Sequence, residues 1–257
     1  MLLPFHHPVR LAEDIAVVDV ISGGRFELGA GVGYKREEFD SFGVPFKERG
    51  ARTDETLGIV RRLLDGESVT LKNKFFDFKN IRVTPEAIQK PHPPIWVGGF
   101  TPAALRRAVR YGDGFSVPDG NRDVYDRYVG ELKKENQPID NIRFASGFSW
   151  LIVSNDPEKT FSEAADHIIY QANNYTEWLS KAGLMPNLVY FRDREQLRQS
   201  GTLKVVQPDT AITMIRDFIT KVPVTHYYSW TFPPGLPPRW AQSHLELFAS
   251  KVIPAFR

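Results

Sequence analysis

The segment Pro91 to Gly114, PHPPIWVGGFTPAALRRAVRYGDG, constrains the fold of this chain more than any other. A short apolar run, Ile95-Trp96-Val97, gives way to two glycines and then to Thr101-Pro102 at the head of a helix, with Gly112 behind it. That order specifies a βα unit. The apolar run reads as a buried strand, glycine turns the chain with no Cβ in the way, and threonine followed by proline supplies an N-cap and a pre-set first helical residue. The N–H groups of such a first turn, with the helix dipole behind them, favour an anion lying against them. Gly98, Gly99, Phe100 and Thr101 are therefore candidate phosphate contacts. The same residues are what a βα turn needs for folding alone, and the segment is not a full dinucleotide fingerprint. Both readings stay open on these residues.

At 257 residues the chain has room for one large α/β domain. Its 33 Lys and Arg against 31 Asp and Glu leave a net charge of +2, with no block of like charge to meet nucleic acid or an anionic membrane. The lack of cysteine excludes a disulfide framework, a thiol nucleophile and a thiolate metal site. Glu37-Glu38-Phe39 has no histidines at ligand spacing beside it, so no metal site is expected. No apolar run approaches the roughly 18–20 residues that span a bilayer, and MLLPFHHP has neither the charged start nor the length of a signal peptide. The sequence reads as cytoplasmic.

Strand-like and helix-like segments alternate along the chain, the pattern of repeated βα units on a parallel sheet. Pro8 to Val20 has Leu11, Ala12, Ile15, Ala16 and Val18 at helical spacing, and Arg25 to Gly33 reads as a strand ending in a flexible GAGVG turn. Arg49 to Leu64 is helical through Leu57, Val60 and Leu64, and Val69 to Val83 alternates like a hairpin. After the Pro91 segment come a strand at Phe115 to Val117, a helix at Val124 to Lys134, a strand at Arg143 to Val153, and a helix opened by Asp156-Pro157. Pro208 to Val222 is helical, Val224 to Thr231 a strand and Trp240 to Val252 a closing helix. The whole reads as a single domain over 1–257 with excursions near 66–90 and 173–207. About five parallel strands are countable, with Met1-Leu2-Leu3 as a stub of a sixth, short of the eight that close a (β/α)₈ barrel.

Four segments, HPVRLAEDIAVVDVISGGRFELGAGVGYKREEF, GVPFKERGARTDE, PHPPIWVGGFTPAALRRAVRYGDGF and the terminal SWTFPPGLPPRWAQSHLELFASKVIPAFR, together resemble the bacterial luciferase-like monooxygenases. This is a flavin- or deazaflavin (F420)-dependent family built on a TIM barrel. In full-length members about two βα units and the body of a third strand precede the segment that matches MLLPFHHP. The resemblance thus implies an α/β, TIM (β/α)₈-type barrel that is incomplete, lacking the first two to three strands. A start codon placed too late, a shortened paralogue or a separate completing chain would each account for that.

The resemblance further implies a cofactor at the C-terminal mouth of the barrel, its phosphate against Gly98-Gly99-Phe100-Thr101 and facing Arg49, whose guanidinium suits bidentate phosphate capture. Arg49 could instead pair with Glu48 or Glu55. Gly31 and Gly33 would let a flavin ring approach the strand end, or are simply turn glycines. His6, after the stub strand, is the candidate proton donor near the ring. His226 lines the pocket or, by preference, packs in the core. The implied activity uses reduced FMN and O₂ on a small organic substrate, with a flavin reductase as electron donor. An F420-dependent dehydrogenase or reductase, or a non-catalytic flavin-binding protein, are the alternatives. A homodimer is the family's usual assembly.

Overall fold

The computed structural model describes residues 1–184 and 190–257. The chain falls into two compact units, Met1–Ser116 with Tyr128–Arg143, and Val117–Arg127 with Phe144–Arg257. Parallel strand pairing interleaved with helices makes both units α/β.

In the first unit, α1 (Pro8–Ser22) begins with the proline at its first position and ends on Gly23 in the left-handed conformation. It buries Leu11, Ala12, Ile15 and Ala16 as the spacing predicts. Val18 is exposed, and Asp19 takes the inward place instead, its carboxylate accepting from the Gln89 backbone N–H at 2.9 Å and side-chain Nε2 at 2.7 Å. A buried carboxylate is tolerated because both oxygens are satisfied. Strand β1 is confined to Leu28–Ala30. Alongside it Leu2 makes a parallel bridge to Gly31, and Leu3–Phe5 curls into a 3₁₀ turn, so the expected stub is one bridge long. A short helix that the pattern does not reveal, α2 (Arg36–Ser41), buries Phe39. Helix α3 (Arg49–Leu64) buries Leu57, Val60 and Leu64. Strands β2 (Val69–Lys72) and β3 (Asp77–Ile81) form the antiparallel hairpin.

The leading segment folds as read: β4 (Ile95–Gly98), then α4 (Pro102–Tyr111), then β5 (Gly114–Ser116). The strands β1, β4 and β5 pair in parallel, with Ala30 beside Val97 and Val97 beside Phe115. Tyr128 and Leu132, on α5 (Arg122–Lys134), are buried.

In the second unit the apolar run Arg143 to Val153 is split into β6 (Phe144–Ser146) and β7 (Trp150–Val153). Helix α6 (Pro157–Lys181) is capped by the Asp156 carboxylate, which accepts from Lys159 N–H at 3.1 Å. It runs well into the stretch near 173–207. The same stretch holds α7 (Arg194–Ser200) and β8 (Leu203–Val206), which pairs in parallel with β7, while its residues 185–189 lie outside the described residues. Then come α8 (Pro208–Lys221), β9 (His226–Tyr227), parallel to β6, and α9 (Pro238–Leu247), continued by a π turn. Two apolar clusters hold this unit together, one of Trp150, Ile152, Phe161, Ile168 and Leu197, the other of Leu151, Val153, Ala211, Ile215 and Val252. Among the described residues seven strands therefore lie in parallel pairings, against about five countable from the sequence. The excess comes from the split run and from β8.

Candidate functional site

The turn between β4 and α4 is open to solvent. Phe100 is 52% exposed, Pro102 and Ala103 are exposed, and Gly98, Gly99 and Thr101 are half-buried. Thr101 sits at the N-cap in extended conformation, its Oγ1 accepting from the Ala104 N–H at 3.2 Å. Its carbonyl oxygen takes Ala104 and Leu105 N–H groups at 2.9 and 3.2 Å. Proline brings no N–H, so Ala103 supplies the first-turn donor without an intrahelical acceptor. The Thr101 hydroxyl accepts within the helix and keeps its own proton for an outside acceptor.

Gly99 is where the backbone departs from what other residues adopt. Its φ is +153°, and a Cβ there would meet the Ala104 Cβ at 2.6 Å. The place a Cβ would take is thus already filled by Ala104, so glycine is what lets β4 lead straight into the first turn of α4. The Ala103 N–H and the Thr101 hydroxyl are the donors at this turn from which an anion could accept. We expect Thr101→Ala to cost about 1 kcal/mol in chemical denaturation and Thr101→Ser almost nothing, because only the first loses the cap.

Arg49 opens α3, donating through Nη1 to the Phe46 carbonyl at 2.8 Å and stacking on the Phe46 ring, 3.8 Å from its centroid. The two carboxylates that could have paired with it are engaged elsewhere, Glu48 with Lys74 at 2.6 Å and Glu55 with Asn73 Nδ2 at 2.8 Å. Arg49 is held below its ordinary pKa by partial burial and by the neighbouring charge of Arg36. Arg107 links the helices, pairing with Asp54 at 2.5 Å and donating to the Gly50 carbonyl at 3.4 Å. The first turn of α3 is thereby fastened to α4. Arg36 escaped the sequence reading because its approach to Phe46, ten residues on, is set by the fold, and Phe46 because its i, i+3 contact with Arg49 carries no sequence signal of its own.

The other predicted residues lie as follows. Beside Gly31 stands Leu2 Cδ2, 3.5 Å from where a Cβ would be, and beside Gly33 the Phe39 ring, at 3.0 Å. His6 is half-buried, its backbone N–H bonded to the Leu3 carbonyl at 3.0 Å. His226 is exposed on β9, not in the core, with Nδ1 3.1 Å from Thr225 Oγ1. A two-residue strand gives it too little enclosure to be buried. A cavity of about 410 Å³, lined by Lys90, Pro91, His92, Asp113 and Arg143 among others, lies at the other, N-terminal ends of β4 and β5. It is separate from the turn.

The luciferase-like monooxygenase family model matches residues 1–213, and the chain belongs to that family. Among its relatives, the oxygenase component of the flavin-dependent trigonelline monooxygenase of Acinetobacter baylyi is 31% identical over 119 residues, 46% of this chain and 33% of that one. The FMNH2-dependent dimethylsulfone monooxygenase of Pseudomonas putida is 28% identical over 169 residues, 65% of this chain and 46% of that one. The solved structure of an F420-dependent secondary alcohol dehydrogenase, in complex with an F420-acetone adduct, superposes with a TM-score of 0.72 at 18% identity, covering 98% of this chain and 76% of that one. At that identity the likeness is one of fold. The chain spans about half the length of the curated relatives it matches. Among the described residues no helix is long and apolar enough to cross a membrane.

Proposed function

We propose that this chain is a flavin-dependent oxidoreductase working with reduced FMN and O₂ on a small organic substrate, on a single TIM-type barrel domain. The observation that carries the reading is the β4–α4 turn. The Ala103 N–H, the Thr101 hydroxyl and the α4 dipole favour an anion there, and Gly99 lets β4 lead directly into that first turn. Its support from relatives is the flavin dependence of the two monooxygenases the chain resembles.

Bound there, the reduced cofactor would supply the electrons for oxygen activation, as such cofactors carry the redox chemistry themselves. The chain's part is positioning. Gly98, Gly99, Phe100 and Thr101 would hold the phosphate end, Arg49 would add a cation to it, and Gly31 and Gly33 would leave room for the ring at the strand end. His6 holds or donates a proton at the substrate or ring edge. A flavin reductase is the electron donor in this reading, favoured by the relative that is itself an oxygenase component. The likeness to an F420-dependent dehydrogenase favours hydride chemistry on the same scaffold as the second reading.

Fluorescence titration of the purified protein with FMN and with F420 separates the two. Saturable binding of FMN, weakened about tenfold in Arg49→Gln through loss of a charge-assisted contact, is the expected result. Tight F420 binding with none of FMN overturns the first reading in favour of the second.

A further inference from the structure

The cavity of about 410 Å³ at the N-terminal ends of β4 and β5 is lined entirely by residues of the first unit. Small-molecule sites run from roughly 300 to 1,000 Å³, so it is large enough to hold one. Two of its lining residues carry opposite charges that do not meet. Arg143 is exposed and, among the described residues, makes no ion pair and no side-chain hydrogen bond. Asp113 accepts the Ile95 backbone N–H through Oδ2 at 2.8 Å and leaves Oδ1 uncommitted. Gly114, next to Asp113, lets both stand on one lip, since a Cβ there would come within 3.0 Å of the Arg143 Cβ. A carboxylate and a guanidinium that share a cavity ordinarily close into a pair. Here a gap remains between them.

The lining also holds a buried polar atom without a partner. The His92 side chain is 1% exposed, with Nδ1 3.0 Å from the Pro93 carbonyl and 3.6 Å from Asp113 Oδ2. Nδ1 therefore carries the proton that it donates to that carbonyl, and Nε2, 3.9 Å from Asp65 Oδ1, is an acceptor with no hydrogen-bond donor. Native folds rarely leave a buried polar atom so. Asp113 Oδ1 and His92 Nε2 are thus acceptors short of donors, and Arg143 is a set of donors short of an acceptor. Tyr128, in the same lining, stays a neutral phenol, because burial and then the charge of Asp113 push its pKa up to about 12.

We propose that this cavity is a second binding site, for a free α-amino acid with an apolar side chain. Its carboxylate meets Arg143, its ammonium meets Asp113, and its side chain lies against Val109, Leu132 and Ile142, the apolar part of the lining. Lys90, also in the lining, adds positive charge that favours the carboxylate further. A simple anion would be repelled by Asp113 and a simple amine by Arg143 and Lys90, so only a ligand carrying both charges answers the whole wall. The site lies apart from the β4–α4 turn and does not depend on the cofactor reading.

Isothermal titration calorimetry and thermal unfolding of the full chain test this, with L-leucine, L-valine and L-phenylalanine as probes. Saturable binding and a raised Tm are expected with at least one of them. The N-acetyl derivative of that amino acid, which lacks the ammonium, and its amide, which lacks the carboxylate, should each bind at least about tenfold more weakly. Both derivatives also mimic peptide ends, so the comparison separates a free amino acid from a chain terminus. Arg143→Gln, at an exposed side chain with no ion pair, should keep the unliganded Tm and lose about tenfold in affinity. Asp113→Asn, whose amide oxygen can still accept the Ile95 N–H, should lose a similar factor. No saturable response to any of the three probes at about 10 mM, equal affinity for the N-acetyl derivative, or undiminished affinity in Arg143→Gln overturns the site.

Discussion

Replacing Gly99 with alanine is expected to lower stability by about 2–4 kcal/mol and to weaken FMN binding by at least about tenfold. Two causes act together. A φ of +153° lies in a region that side-chain-bearing residues avoid, and the added methyl would stand 2.6 Å from the Ala104 Cβ. The only relief is for the first turn of α4 to swing away from β4, and that turn carries the Ala103 N–H and the Thr101 cap. Fold and anion site therefore suffer from one displacement. The adjacent Gly98 is the internal control. A Cβ there would meet only the carbonyl oxygens of Ala30 and Ser116, each at an ordinary 3.8 Å, so Gly98→Ala should cost well under half as much. Urea denaturation gives the first quantity and flavin fluorescence the second. A Gly99→Ala protein as stable as wild type, with undiminished FMN affinity, would remove the turn from the site.

The second large effect is on acid stability. His244 on α9 is 3% exposed, and its Nδ1 accepts the Val153 backbone N–H at 2.8 Å, so the neutral ring is the form the fold uses. Burial pushes its pKa down from 6.5 to about 4. In the unfolded chain the same imidazole takes up a proton near its ordinary value, so between those two values the unfolded state binds the proton that the native state refuses. Stability contributed by this group is complete above about pH 6.5, declines as the pH falls, and levels off near pH 4. The total loss is on the order of 3 kcal/mol. His244→Gln, whose amide oxygen can still accept the Val153 N–H, is expected to remove that slope from urea midpoints measured between pH 7 and 4. An unchanged slope would assign the acid sensitivity to other groups.

How much was legible beforehand depended on whether the governing chemistry was local. The β4–α4 unit, the α6 start and the β2–β3 hairpin were readable because caps, prolines and alternation act within a few residues. The break between β6 and β7 was not. Phe144 to Val153 is apolar enough to read as one strand, but a Cβ at Gly147 would run into the Tyr228 carbonyl. That close approach is set by a segment some eighty residues away, and no pattern around Gly147 announces it. Asp19 illustrates the same limit, since its burial depends on Gln89, which only the fold brings near. In the site, Thr101 and the glycines carried their own signal. The approach of Arg36 to Arg49 across Phe46 did not, because two arginines thirteen residues apart give no local sign that they share one ring.

Strand β4 also decides what optical spectroscopy can report. Of the five tryptophans, only Trp96 belongs to the first unit, whereas Trp150, Trp178, Trp230 and Trp240 all belong to the second. Trp96 is buried two residues ahead of Gly98, its indole N–H donating to Glu27 at 2.6 Å. Intrinsic emission of the native chain is thus weighted towards the half that lacks the β4–α4 turn. A form in which Trp96 is the sole emitter would make the strand leading into that turn its own reporter, with quenching or energy transfer on addition of FMN as the signal.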